Sequence, residues 1–303
     1  MNFIKNYFYI LLLVTFFDVC SMVICTAGNS AYFPHLLNLI GSIHKIDFDN
    51  LQEIMVFDLG LTNQEIQNIN SIQKTHVYKV KKTDPSILDF MYAPQGYRSL
   101  GWFAWKPVVI KQALDRHERV LWLDAGNTVL KSLMPIFECI DEFGYFICTI
   151  GNDTIDGRWK HPVGWGATRF VREKYDLDSR ENRWILDQEF IEGGICGFKK
   201  NHEIYKDFLM PLYQSTFDIR NFEDDGTPPG LGRHDQVLMS ILVYQKHLKF
   251  FRQDYTQRYP MVILGKDIFI TWNPAHVDDR TTLYRSRNDI GRIDNFEKYI
   301  RRF

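Results

Sequence analysis

Cysteine is scarce in this chain. Cys20, Cys25, Cys139, Cys148 and Cys196 are the only five in 303 residues, and no pair stands at metal-ligand spacing, which argues against a zinc centre. Cys25, Cys148 and Cys196 lie in apolar runs, as buried thiols do. A Cys20–Cys25 or Cys139–Cys148 bridge would need an oxidising compartment. Charge of one sign is also lacking. Thirty-six Lys and Arg against 37 Asp and Glu leave a net charge of -1, so there is no general drive toward nucleic acid or an anionic membrane. No G-x-G-x-x-G or G-x-x-x-x-G-K-[ST] follows any expected strand, so a dinucleotide fingerprint and a P-loop both lose support. Repeats and low-complexity tracts are absent.

Apolar and aromatic residues are plentiful. The chain is 45% hydrophobic and 15% aromatic, enough for one large domain or two small ones. Most of its 7 Trp, 15 Tyr and 23 Phe are expected to build core, although aromatic rings also stack on sugars and bases. Residues 1–20 carry Lys5 and then an eleven-residue apolar run, Tyr7 to Phe17. That run is short for a membrane span and fits a secretory signal peptide. A signal anchor extending past Asp18 is the alternative, and it would attach the chain to a membrane. Asn152-Asp153-Thr154 is a glycosylation sequon compatible with secretion.

The first 130 residues alternate strand and helix. Met22 to Thr26 reads as a strand, followed by a loop from Ala27 to Ser30. A helix from Tyr32 places Phe33, Leu36, Leu37, Ile40 and Ile43 on one face, with Gly41 as a weak point. Ile54 to Phe57 is a second strand. Thr62 and Glu65 form a capping box for a helix that turns Ile66 and Ile69 inward. His76 to Val80 is a third strand, and Lys81 to Gly101 a long loop. This pattern predicts a parallel, doubly wound sheet.

Gly101 to Val129 organises the rest. Pro107 suits the first turn of a helix, Val108, Val109, Ala113 and Leu114 recur at helical spacing, and His117 and Glu118 close it. Val120 to Leu123 is a short apolar run, right for a buried parallel strand. Asp124 follows at once, then a turn over Ala125, Gly126 and Asn127. Ligands of open α/β sheets bind outside the carboxyl ends of strands. A carboxylate there can hold a metal, a ribose hydroxyl or a proton, or can simply cap the next turn.

Later segments are more irregular. Tyr145 to Ile150 reads as a strand and Gly151 to Arg172 as an irregular loop over a site. In Leu186 to Phe198, acidic residues stand before Gly193 and Gly194, and an apolar strand follows. A double glycine permits close approach of backbone to a ligand. Asn201 is expected to cap a helix through Phe208, Leu209, Leu212 and Tyr213. His234-Asp235-Gln236 opens another, with Val237, Leu238, Ile241 and Leu242 inward and Asp235 in the favourable first turn.

Taken in order, Thr26-Ala27, Trp105-Lys106-Pro107, Leu123-Asp124-Ala125-Gly126, Gly193-Gly194 and Asp235-Gln236 resemble the GT-A nucleotide-sugar glycosyltransferases. The pattern is nearest to a group with WKP…LWLDAG…HRxDQ and more distantly similar to glycogenin-type retaining enzymes. The resemblance covers about residues 22 to 280. It implies an α/β GT-A fold, a mostly parallel central sheet flanked by helices, in one catalytic domain over residues 21–303. It implies transfer of a hexose from a nucleotide-diphosphate sugar, a UDP-sugar first, to a glycan or protein acceptor in the secretory pathway. In such enzymes a D-x-D pair holds Mn²⁺ or Mg²⁺ against the diphosphate. Asp124 matches the first aspartate, whereas Gly126 replaces the second, so a catalytically inactive glycan-binding relative is the alternative. Asn127 and His276 are the further metal ligands the resemblance suggests. Lys106 corresponds to a basic residue on the donor, and Thr26 and Ala27 to the loop around the base. Gly193 and Gly194 correspond to the strand behind the donor sugar, and Asp235 and Gln236 to the pair beside it. Glu192 and Glu189 are candidates for acid/base work or sugar-hydroxyl contacts, and Trp159 and Trp165 for an acceptor platform.

Overall fold

The structure is a computed structural model, and it describes residues 21–81, 94–95, 99–149, 154–155, 158–159, 162–222, 234–252, 262–263, 266–268, 270–271, 281–285 and 294–303. Its centre is strand β1 (Met22–Gly28), buried at every position. A strand covered on both faces reads as a near-continuous apolar run, and MVICTAG does so with Thr26 as its one polar side chain. β2 (Leu51–Asp58), β3 (Thr75–Lys79) and β4 (Arg119–Leu123) lie parallel to it in the order β4-β1-β2-β3. These four parallel strands occur where alternation places them, while the expected loop from Lys81 to Gly101 also carries a short antiparallel pair, Pro94–Gln95 with Ser99–Leu100.

The second half extends this sheet with one strand reversed. After the short β5 (Asn127–Val129) come β6 (Tyr145–Thr149), β7 (Ile195–Lys199) and β8 (Phe251–Arg252). β7 runs antiparallel between β4 and β6, while β8 pairs in parallel with β6. The seven-stranded order is therefore β8-β6-β7-β4-β1-β2-β3. β5 leaves this sheet and joins a smaller one with β9 (Ile270–Thr271) and β10 (Leu283–Arg285).

Side chains alternate across the sheet and seed a core on each face. Val23, Cys25, Met55, Phe57, Val120 and Trp122 face α3 (Trp105–Leu114) and α5 (His234–Gln245), whose contributions include Val108, Val109, Val237 and Ile241. Met22, Ile24, Ile54, Val56, Leu121 and Leu123 face α1 (Phe33–Asp47) and α4 (Met134–Phe143) through Leu36, Ile40, Ile136 and Phe137. α3 is buried on almost every side, so its sequence is apolar all round rather than striped. The remaining helix of the first half, α2 (Asn63–Asn70), carries the capping box in full: Thr62 accepts from Glu65 N, and Glu65 accepts from Thr62 N.

Several expectations are corrected. α3 ends at Leu114, and His117 lies beyond it on Glu53, because Asp115 and the residues after it turn away. Part of the expected loop is helical: Val163–Gly166 and Arg169–Lys174 both form helices, the second capped by Thr168 accepting from Val171 N. Asn201 does not cap the helix after it, since its amide donates to Glu118 instead. Cys25, Cys139, Cys148 and Cys196 are buried and not disulfide-bonded, so there is no Cys139–Cys148 bridge; Cys20 lies outside the described residues. Gly41 is no defect. A Cβ there would stand 2.0 Å from the carbonyl oxygen of Phe296, where the C-terminal segment crosses α1. Among the described residues no helix is long and apolar enough to cross a membrane.

Candidate active site

Two strand-end carboxylates show how position and role separate. Asp58, at the end of β2, accepts from Gly60 N and Leu61 N at 2.8 Å each and caps its own turn. Asp124, at the end of β4, turns its carboxylate elsewhere. Its Oδ1 accepts from the Trp122 indole at 3.0 Å and pairs with Lys106 Nζ at 3.2 Å. Its side chain is 30% exposed, so it stands at the mouth of the cluster.

Lys106 is the hub. It is the second residue of α3, where a cation opposes the helix dipole. Its ammonium is held by Asp235 Oδ2 at 2.8 Å, Gly193 O at 3.0 Å and Asp124 Oδ1 at 3.2 Å. The contact with Gly193 O is a hydrogen bond, and the two carboxylates hold the ammonium as ion pairs. The rings of Phe103 and Trp122 lie 5.5 and 5.7 Å from Nζ, within cation–π reach. Burial opposes the charge, but the Asp124 and Asp235 carboxylates outweigh it and hold the lysine above its ordinary range. Lys106 therefore stays charged at any physiological pH. Burial pushes the neighbouring Cys196 thiol well up, so it is not a thiolate nucleophile.

Asp235 lies in the first turn of α5, where a carboxylate is favoured. It comes so close to the chain before β7 that only glycine fits opposite. A Cβ on Gly193 would lie 2.8 Å from Asp235 Oδ2 and 2.9 Å from Gln236 Cγ. Gly194 joins the other side: its carbonyl accepts from Asp124 N at 2.9 Å and from the Asn127 amide at 3.1 Å. Glu192 is buried, and its Oε1 accepts from Gly194 N at 2.7 Å, which braces the glycine turn. Gln236 donates to Ile191 O at 3.1 Å, and Ser240 bridges Gln236 O and Ile191 N.

The structure thus brings together Lys106, Asp124, Asn127, Glu192, Gly193, Gly194, Asp235 and Gln236. Thr26 and Ala27 lie buried at the carboxyl end of β1, next to β4. Trp165 is half-buried against the core, and Glu189 O accepts from the Tyr244 hydroxyl. His276 lies outside the described residues, as does the side chain of Trp159. Sequence reasoning missed Trp122, Phe103 and Ser240. The aromatic run Trp102-Phe103-Ala104-Trp105 was the available signal for Phe103, and for Trp122 its place two residues before Asp124. Phe103 adopts a φ of 61°, a conformation a bulky side chain rarely takes.

A divalent cation does not fit the described residues. Gly126 offers no second carboxylate, Asp124 Oδ1 is already shared by an indole and an ammonium, and a cation at Asp124 would face the Lys106 charge. The Asn127 amide nitrogen donates to the carbonyls of Asp124 and Gly194, and its Oδ1, the atom a cation would take, is buried with no hydrogen-bond partner among the described residues but stands beside that same ammonium-paired carboxylate turn. Among the described residues no group of three His, Cys, Asp or Glu side chains could hold a metal.

No family model and no curated protein matches the chain. Solved structures do. Mouse xyloside xylosyltransferase 1 in its apo form is 11% identical, with 89% of this chain and 98% of that chain covered at a TM-score of 0.51. The galactosyltransferase LgtC with donor and acceptor sugar analogs is 14% identical, covering 87% of this chain and 86% of that chain at a TM-score of 0.44. The fold is the α/β GT-A fold, with a mostly parallel central sheet flanked by helices.

Proposed function

We propose that this chain is a glycosyltransferase that moves a hexose from a nucleotide-diphosphate sugar, a UDP-sugar first, to a glycan or protein acceptor. One observation carries the reading: Lys106, Asp124 and Asp235 converge beyond the carboxyl edge of a GT-A sheet, against the backbone of Gly193. Carboxylates fixed in this way accept hydrogen bonds from sugar hydroxyls and orient a ring. The fixed ammonium supplies positive charge that needs no rearrangement when a diphosphate departs. Asp235 and Gln236 would hold the donor sugar, Asp124 its ribose or sugar hydroxyls, and Thr26 and Ala27 the base. Glu192 would act on them through the Gly194 turn. Retention of anomeric configuration is the outcome the Asp235–Gln236 pair suggests. Entry into the secretory pathway would use residues 1–20, as the apolar run Tyr7 to Phe17 supports.

The test is thermal unfolding of the full chain with UDP, GDP, CMP and UDP-sugars. A ligand that binds only the folded state raises its stability. A rise with one nucleotide, lost in Asp235→Asn, is expected. No rise with any nucleotide in a folded sample would overturn the reading. A second reading, a glycan-binding protein without turnover, is favoured by Gly126 alone. Stabilisation by oligosaccharides with none by nucleotides would establish it.

A further inference from the structure

The oxygens around Lys106 Nζ form a cation site. Asp235 Oδ2, Gly193 O and Asp124 Oδ1 surround one point at 2.8, 3.0 and 3.2 Å. Two carboxylates and a carbonyl are the hard oxygen donors that divalent cations take. Here the point is filled by an ammonium that donates to Gly193 O and ion-pairs with both carboxylates. The Lys106 and Asp235 side chains are only 6% and 5% exposed, so the filling is permanent and not a surface encounter. The sequence has a matching loss: the position that would add a carboxylate beside Asp124 is Gly126.

We infer that Lys106 is the resident cation of this site, and that nucleotide binding proceeds without a divalent metal. This rests on the nucleotide-sugar reading above and deepens it. The lysine does for Asp124 and Asp235 part of what a metal would otherwise do: it offsets one of their two charges and fixes their spacing. Removing the ammonium should expose the vacancy it fills. Lys106→Ala leaves one buried and one partly exposed carboxylate and a carbonyl facing an empty point, which a divalent cation can then enter.

Two measurements test this on the full chain. The first is a titration of MnCl₂ followed by the electron paramagnetic resonance signal of free Mn²⁺, with and without UDP. The second is the UDP-induced rise in melting temperature, in EDTA and in MnCl₂. Wild type should leave the Mn²⁺ signal undiminished, and UDP should raise the melting temperature equally in both buffers. Lys106→Ala should take up Mn²⁺ and be stabilised by it, and both effects should vanish in Lys106→Ala/Asp124→Asn. Uptake of Mn²⁺ by wild type, or a UDP effect that disappears in EDTA, would overturn the inference. So would a folded Lys106→Ala that takes up none. If Lys106→Ala fails to fold, the two wild-type arms decide. Absence of any nucleotide effect would sink the nucleotide-sugar reading instead, while the Mn²⁺ titration still decides which cation the site holds.

Discussion

Lys106 Nζ lies 2.8 Å from Asp235 Oδ2, and each residue stands in the first turn of its own helix. The two helices start at one point, and the pair locks α3 to α5. For Asp235 the helix dipole is favourable; for Lys106 it is not. The lysine is therefore held there by its carboxylates and not by its helix. That asymmetry makes Lys106 the more informative residue to change.

Lys106→Met keeps the length and removes the charge. Two carboxylates are then left near each other without their partner, and breaking a buried pair from one side costs about 3–5 kcal/mol. Denaturant unfolding should show a loss of that order. Adding Asp235→Asn to the same chain should recover part of it, because one stranded charge is gone. A double variant no more stable than Lys106→Met would separate the two residues energetically.

Gly193→Ala places a methyl group 2.8 Å from Asp235 Oδ2 and 2.9 Å from Gln236 Cγ. Overpacking of this kind costs about 1–3 kcal/mol, and the atoms that must move are the proposed sugar contacts. Nucleotide-sugar affinity, read by calorimetric titration, should fall by more than the loss of stability alone explains. Unchanged affinity would mean that Asp235 can shift without consequence.

Gly41→Ala sets two effects against each other. Alanine is better than glycine in a helix interior by about 1 kcal/mol. Its Cβ would however stand 2.0 Å from the Phe296 carbonyl oxygen, which is backbone and cannot swing aside. The clash should win. The melting temperature should fall, and limited proteolysis should cut the C-terminal segment 294–303 sooner than in wild type.

Glu53 gives a pH dependence of known sign. It is buried near the amino end of β2, where it accepts from the Tyr78 hydroxyl at 2.6 Å and pairs with His76 at 2.8 Å and His117 at 2.9 Å. Burial would raise its carboxyl, but the hydrogen bonds from His117, Tyr78 and His76 lower it from 4.5 to about 2. A depressed carboxyl stabilises the fold above its unfolded value and loses that contribution as pH falls through the folded one. Stability should drop between pH 4.5 and about 2, more steeply in wild type than in Glu53→Gln. Parallel acid-denaturation curves for the two would refute this.

Local chemistry was the legible part. The all-apolar runs of β1 and β4, the Thr62–Glu65 capping box and the Pro107 helix start each act over a few residues, and each stands where the sequence places it. Lys106, Asp124, Gly193 and Asp235 could be singled out one by one, from a helix start, a strand end, a double glycine and a first-turn carboxylate. Their convergence could not, because it depends on β7 entering the sheet reversed between β4 and β6. The Glu53 cluster was hidden for the same reason. Its residues come from two strands and a loop, and no spacing along the chain joins them. Asn201 looked like a cap and Cys139–Cys148 like a bridge because sequence distance says nothing of which way a side chain turns.

The reversal of β7 also fixes when the site can exist. Once residues 22–124 are made, the chain holds all four of the parallel strands β1 to β4. Asp124 and Lys106 are then already in place, but Gly193 lies 87 positions after Lys106, and Asp235 comes later still. Until both arrive, the ammonium lacks two of its three oxygen partners. Loops of that length close slowly, so the chemistry-bearing edge is the last part of the sheet to mature. A stalled or truncated chain ending before α5 would own a sheet and half a core, yet no complete site.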